Sequence, residues 1–293
     1  MSEASGTVEM GLDPARAGSA SAVGAQARRG LAASRATLRG LLLPVLILVL
    51  WEVVARLGLV ATNLLPPPSA VLGAIADLAA TGELFGHIEV TLTRVFLGFL
   101  AGGAVATVLG GLTGYSRLWR ELLDPLLQAL RNIPSIAWVP LFILWLGIFE
   151  ASKVTLIAVG VFFPVYLNLM SGIQDVDRKL VEVGRMYRMS GLKLVRRVLL
   201  PATLPAYVVG LRSGLGLGWM FVVAAEYMGA SKGLGFLMID GQMTGRPQII
   251  IAALVLFAVL GKATDMVLAT IGRRFLFWQD SFGNRETRTR ENG

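Results

Sequence analysis

VTLIAVGVFFPVYLNLMSG at Val154–Gly172, followed by QDVDRKLVEVGRMYRMSGLKLVRRVLLP at Gln174–Pro201, decides how this chain folds. The first stretch carries no charged side chain, and as a helix rising 1.5 Å per residue it reaches about 28 Å, close to the thickness of a bilayer's hydrocarbon. The second is polar, basic and amphipathic, so it lies outside the hydrocarbon. An apolar crossing followed by a long basic loop is the unit of a polytopic membrane protein.

Working outward, the same apolar signal recurs. The first run is Leu41 to Leu50, extended through Ala55, then a second at Thr91–Tyr115 and a third at Leu122–Ile148 with Pro134 and Pro140 inside it. After Val154–Gly172 come a fifth run at Pro205–Met228 and a sixth at Ile249–Ile271. The expectation is an all-α polytopic protein of about six transmembrane helices. Residues 1–38 are Ala, Gly, Ser and Arg with few large apolar groups, which predicts a disordered cytoplasmic tail. The transmembrane domain spans 39–275, with its cytoplasmic segment at 174–203, and 276–293 is a polar tail. A signal peptide competes for the first run, but the charged region before it is long and no small-residue cleavage site stands out. Leu64-Leu65 and Pro66-Pro67-Pro68-Ser69 read as an extended break.

Composition agrees. Of 293 residues, 55% are hydrophobic and 16% charged, against about 25% charged in a soluble domain; mean hydropathy is +0.66. The net charge of +8 raises nucleic-acid binding, but the Lys and Arg lie between apolar runs and form no basic patch on a soluble face. With the N-terminus in the cytoplasm, 19 of the 27 Lys and Arg fall on the cytoplasmic side and 5 (Arg56, Arg94, Lys153, Lys232 and Arg246) on the other. Arg131, Arg212 and Lys262 lie inside or at the edge of spans. The positive-inside rule thus sets the topology, with both termini cytoplasmic. There is no cysteine, and the single histidine, His87, reads as a solvated external residue. Gly261-Lys262 is followed by Ala263 inside an apolar span, so it is not a phosphate-binding loop. The chain is read as a transport subunit without its own ATPase site, and it binds no cofactor or metal.

Two spans carry small residues at every fourth position: Gly98, Gly102, Ala106, Gly110 and Gly114 in the second, and Ala206, Gly210, Gly214 and Gly218 in the fifth. Each set lies on one helix face, which permits close backbone approach. Tight packing is the plain reading and sliding during transport the sharper one. In the cytoplasmic segment, Asp175 reads as an N-cap and Val176, Leu180, Val183 and Tyr187 as an apolar stripe. Ser190-Gly191 is a turn. A second short helix then carries Leu192, Val195 and Leu199 on one face. On physical grounds this helix-turn-helix serves either as a grip for a partner, anchored to the spans by its stripes, or as a basic segment lying on anionic lipid.

The stretch Glu182-Val183-Gly184-Arg185-Met186-Tyr187-Arg188-Met189-Ser190-Gly191, continuing to Leu200-Pro201, resembles the EAA motif of the permease subunits of ABC importers. The resemblance implies the type I importer permease fold and a coupling role for Glu182, Gly184, Arg185, Arg188, Ser190, Gly191, Leu192, Leu200 and Pro201. The chain departs from the motif at Val183, where the family has Ala, and at Arg188, where it has Gly. Arg131-Asn132-Ile133-Pro134, Trp138-Val139-Pro140-Leu141, Gly210-Leu211-Arg212 and Ala225-Glu226 resemble the sulfonate, nitrate and taurine branch. Gly82-Glu83-Leu84, Phe163-Pro164-Val165-Tyr166 and Gly261-Lys262 are most similar to the alkanesulfonate permeases.

What this implies is a permease in the bacterial inner membrane that carries a small organic anion, an aliphatic sulfonate, from periplasm to cytoplasm. Nitrate, bicarbonate, taurine or another small solute is the alternative, and a secondary carrier or channel the rival class. Implied partners are a second copy of the chain, two cytoplasmic ABC ATPase subunits that hold ATP and Mg, a periplasmic or lipid-anchored substrate-binding protein and membrane lipid, with no nucleic acid. Candidate pathway residues are Arg131, Asn132, Pro134, Arg212, Trp219 and Glu226. Arg212 reads either as a snorkelling anchor or as an anion contact, Arg131 likewise, and Glu226 as gate or docking structure.

Overall fold

A computed structural model describes residues 42–189, 191–227 and 229–276. The expected tail at 1–38, and all but the first residue of the tail at 276–293, lie outside the described residues. The chain forms two compact units, one ending at Ser69 and the other beginning at Ala70.

In the first unit, helix α1 covers residues 42–56 and exposes Leu42, Leu43 and Leu46 through Leu50. An apolar helix exposed all round has lipid as its natural solvent. Glu52 closes the unit by accepting hydrogen bonds from the Ser69 amide (3.0 Å), the Ser69 hydroxyl (2.8 Å) and Arg56.

The join falls within α2 (Pro68–Ala80). The triple-proline stretch therefore does not stay extended to its end. Pro68 opens a helix, where its fixed φ suits the first turn and its missing N–H is not needed.

The second unit is a helix bundle built on α3 (Glu83–Tyr115), α6 (Glu150–Gln174) and α9 (Leu200–Tyr227). Around them stand α4 (Arg117–Arg131), α5 (Val139–Leu146), α7 (Arg178–Met186), α8 (Gly191–Leu194), α10 (Leu234–Met243) and α11 (Pro247–Phe275). Among the described residues, four helices are long and apolar enough to cross a membrane: α3, α6, α9 with its lead-in from Val195, and α11. The pair α4 and α5 would make a fifth span, bent by 88°.

The two small-residue faces hold this bundle together from opposite sides of α6. A Cβ on Gly98 would fall 2.5 Å from Ile157, one on Gly114 2.8 Å from Ile173, and one on Gly102 onto the Ala158 carbonyl. On α9, a Cβ on Gly210 would meet Asn168 at 2.8 Å and one on Gly214 would meet Val165 at 2.9 Å. Ile157, Val161, Val165 and Tyr166 of α6 are buried between them. In lipid, where no hydrophobic force drives helices together, such contact distances supply dispersion energy.

Two expectations are corrected here. The third span is not one helix, because Pro134 lacks an N–H and breaks it after Arg131. Pro140 sits in the first turn of α5, where a proline is accommodated. The second span begins at Glu83 rather than Thr91, so Arg94 stands about three turns into the helix rather than at its edge. Between the fifth and sixth spans lies a short helix, α10, that periodicity did not reveal.

Candidate functional site

The amphipathic segment between the fourth and fifth spans folds as helix, turn, helix. Its N-cap is Asp177, not Asp175: the Asp177 carboxylate accepts from the Lys179 amide at 2.9 Å. Helix α7 ends in a Schellman turn. The Met189 amide donates to the Gly184 carbonyl (3.0 Å) and the Arg188 amide to the Arg185 carbonyl (2.8 Å). This places Arg188 at the position that closes the motif in the left-handed region. Its φ is +55°, the one positive φ at a non-glycine among the described residues. The departure from the family's Gly therefore leaves the turn geometry in place and stores strain of about 1–2 kcal/mol. Gly191, φ +53°, opens α8.

Gly184 is the buried residue of α7. A Cβ there would lie 2.7 Å from Leu194 and 3.2 Å from Val198, so its missing side chain is what lets the two arms close on each other. A π turn over Val195–Leu199 leads into α9. It precedes Pro201, which has no N–H for an i→i−4 bond, so the irregular turn falls where the ladder is already interrupted.

The predicted stripe does not bury. Leu180, Val183 and Tyr187 are exposed, Tyr187 at 73%, and Met186 beside them at 82%. Glu182, Arg185 and Arg188 are exposed too. What seals the arms is Gly184, Leu194 and Leu199, and the stripe remains an outward apolar surface ringed by charge. Ser190 lies outside the described residues.

The charged residues of the spans form two separate sites. At the middle of α9, Arg212 donates to both carboxylate oxygens of Asp265 on α11, at 2.8 and 2.9 Å. Arg212 is 45% exposed and Asp265 28%. Seven residues on, Trp219 donates to the Thr264 hydroxyl (2.9 Å) and packs edge-on to Phe257, so Trp219 is buried rather than facing an open path. Arg131, Asn132 and Pro134 are all exposed, at the break between α4 and α5.

The second site was missed at the sequence level because Arg94, inside the second apolar run, was counted with the external charges and given no partner. Glu226 is fully buried and Arg94 is 3% exposed. Arg94 donates to Glu226 (2.9 Å), to both oxygens of Glu150 (2.6 Å each) and to the Lys232 carbonyl (2.7 Å). Lys153 stands 3.7 Å from Glu150. Three successive amides at the start of α10 turn into the same site: Gly233 donates to His87 Nδ1 (3.0 Å), Leu234 to the Thr91 hydroxyl (2.9 Å) and Gly235 to Glu226 (2.7 Å). Thr91 in turn donates to Glu226. A carboxylate at a helix N-terminus satisfies donors that the helix cannot. Glycine is required at 233, where φ is +123° and a Cβ would strike the Glu226 carboxyl at 2.5 Å. Glu226 is thus enclosed structure at the C-terminal end of α9, and His87 is a hydrogen-bonded residue stacked on Phe236 rather than a solvated one. The signal that could have found the site is two acids and two bases near the ends of apolar runs, beside the GlyLeuGly of 233–235.

Comparison with known proteins bears on this arrangement. Residues 95–276 match the family model described as the binding-protein-dependent transport system inner membrane component. An SsuC protein of Bacillus subtilis, named for aliphatic sulfonates transport, is 41% identical, the match covering 84% of this chain and 89% of that one. An SsuC of Escherichia coli with the same naming is 38% identical over 83% and 93%. The taurine transport system permease protein TauC of Escherichia coli is 31% identical over 79% and 86%. Among solved structures, a chain of the inward-facing MetNI methionine ABC transporter aligns with a TM-score of 0.59 at 20% identity, covering 67% of this chain and 98% of that one, a likeness of fold. With its bundle of apolar helices, its exposed α7–α8 turn and these relatives, the chain belongs to the binding-protein-dependent transport system inner membrane components, the permease subunits of ABC importers.

Proposed function

We propose that the chain carries aliphatic sulfonates from periplasm to cytoplasm as one of two identical permease subunits, with both termini in the cytoplasm. Two cytoplasmic ATPases bind ATP and Mg and grip the α7–α8 turn, and an external binding protein delivers the substrate. The observation that carries the mechanism is the turn itself. Its arms are clamped at Gly184, while Met186, Tyr187 and Val183 stand outward and exposed, with none of the described residues covering them. An apolar knob ringed by Glu182, Arg185 and Arg188 fits a cleft on a soluble partner better than it fits lipid, because its exposed face also carries an acid.

The substrate class follows the SsuC relatives. Permeases named for sulfonates and for taurine both match, and taurine is itself a sulfonate, so the shared chemistry is a tetrahedral monoanion on a short carbon chain. A monoanion crossing a helix bundle needs positive charge or donors along its way. Arg212, in the middle of α9 and exposed, supplies them in each copy, and Arg131 with Asn132 stands at the kink between α4 and α5. ATP binding closes the ATPases and moves the two turns; hydrolysis resets them.

The test is uptake of radiolabelled ethanesulfonate into proteoliposomes holding the permease, its ATPase and its binding protein, against taurine, nitrate and bicarbonate as competitors. ATP-dependent sulfonate uptake is expected, and Arg212→Ala is expected to lower its rate without changing affinity of the isolated binding protein. Uptake of nitrate or bicarbonate in place of any sulfonate would overturn the substrate assignment.

A further inference from the structure

The two charge sites differ in a way that assigns them different work. Every polar atom of Arg94 and Glu226 is engaged and the pair is sealed from outside. The Arg212–Asp265 pair is as well formed, with two parallel hydrogen bonds, yet it lies open. Arg212 stands seven residues beyond Pro205, where the apolar run begins, and 15 before Tyr227, so about 10 Å of helix lies between it and the nearer end of that run and about 22 Å between it and the end of α9. A charge facing hydrocarbon at the bilayer centre is disfavoured by about 2.5–3.5 kcal/mol, and one at this depth by part of that. This face therefore looks onto an aqueous path or onto the second copy around such a path.

The pair is not what joins α9 to α11. Trp219 already bonds Thr264 and packs on Phe257, and Gly272 lets Val208 approach so that a Cβ there would fall 2.7 Å from it. An exposed ion pair adds little to such an interface. Lys262, exposed and one turn before Asp265 on α11, leaves the group with one net positive charge.

We propose that Asp265 is a built-in counter-anion that holds the Arg212 fork between transport cycles and is displaced by the substrate's anionic head as it passes. This rests on the importer reading above. The guanidinium fork that takes two carboxylate oxygens has the geometry to take two oxygens of a sulfonate, the less basic of the two anions. With Asp265 absent, the cation would hold the substrate. With it present, each transit exchanges one anion for another at the same fork, and return of Asp265 drives the substrate off. A site on a transport path must release what it binds, and the tethered carboxylate provides that release without any loss of positive charge.

The experiment uses the whole complex in proteoliposomes and in detergent, with radiolabelled ethanesulfonate as probe. Asp265→Asn is expected to raise the ethanesulfonate retained by the nucleotide-free permease–ATPase complex several-fold and to lower uptake turnover several-fold. Retention and turnover both at wild-type values would overturn the proposal. Should Asp265→Asn fail to accumulate, the doubly neutral Arg212→Gln/Asp265→Asn variant decides. Wild-type uptake by it would make the pair a mere clasp and overturn the proposal, whereas loss of uptake at matched amount and thermal stability supports it. Absence of ethanesulfonate uptake by the wild type refutes the substrate assignment, and the sulfonate form of this proposal with it; normal wild-type uptake with an unaltered Asp265→Asn refutes this proposal alone.

Discussion

Replacing Arg94 by Met removes one side chain and exposes how the outer end of the bundle is held. Arg94 makes four hydrogen bonds, two of them to Glu150 and one to Glu226. Glu150 is exposed and recovers water, so its loss matters little. Glu226 is fully buried and does not. Thr91 and the Gly235 amide still donate to it, but neither carries a full charge. Breaking a buried pair from one side is worth about 3–5 kcal/mol, most of it the uncompensated partner. The same carboxylate accepts from the Gly235 amide and from Thr91, which itself accepts from Leu234, so the damage reaches the start of α10. Arg94→Met is therefore expected to destabilise by about 3–5 kcal/mol, and to free α10 for proteolysis before the rest of the bundle yields.

The assay is thermal unfolding in one fixed detergent, with limited proteolysis from the external side of sealed vesicles. Glu226→Gln and the double variant complete a cycle. Because the pair is in direct contact, the double variant should be more stable than addition predicts, with coupling of about 1–3 kcal/mol. Additive losses, or an Arg94→Met protein as stable as the wild type, would refute the claim that this ion pair fastens α10 to α3.

Three further outcomes are expected. Arg188→Gly keeps the Schellman turn and relieves about 1–2 kcal/mol of left-handed strain, so thermal stability should rise slightly with ATPase stimulation retained; a salt-screened loss of ATPase co-purification would instead reveal a partner for the guanidinium. Glu182→Lys should abolish substrate-stimulated ATP hydrolysis while membrane insertion is unaffected, and wild-type stimulation would remove Glu182 from the coupling surface. Gly102→Val, whose side chain would fall on the Ala158 carbonyl, should sharply lower the yield of folded protein, whereas Gly111→Ala, with open space around it, should fold normally; equal yields would show that the α3–α6 approach is looser than drawn.

Hydropathy made the apolar crossings legible because a bilayer demands length, and length shows in sequence. The small-residue faces were legible for a similar reason: a four-residue period has one geometric meaning, and Gly98 through Gly114 do meet α6. Boundaries were less so. A hydropathy reading starts a span where the apolar run starts, at Thr91 and Val154, whereas the fold starts the helices at Glu83 and Glu150 and neutralises Arg94 and Glu150 against each other across elements. The stripe of α7 misled because an apolar periodicity says that a face will be covered without saying by what. Leu180, Val183 and Tyr187 have the spacing of a buried face and are exposed in this chain, as a surface kept for a second protein would be.

The pairs Arg94–Glu226 and Arg212–Asp265 show why a charge in a span cannot be interpreted by depth alone. Both are acid and base from different helices, at hydrogen-bond distance, and both were invisible as pairs in sequence because their members stand 132 and 53 positions apart. Their surroundings separate them. Around Glu226, backbone amides, a hydroxyl and glycines without side chains close every approach, so its partner cannot be exchanged without unfolding α10. Around Asp265 nothing closes, and a solute anion can reach the same guanidinium that the carboxylate holds. Enclosure makes an ion pair a fastening, and access makes it an exchangeable site. In the reading proposed above, the exchangeable pair is Arg212–Asp265, and Glu226, despite its position on the same helix, is part of the frame.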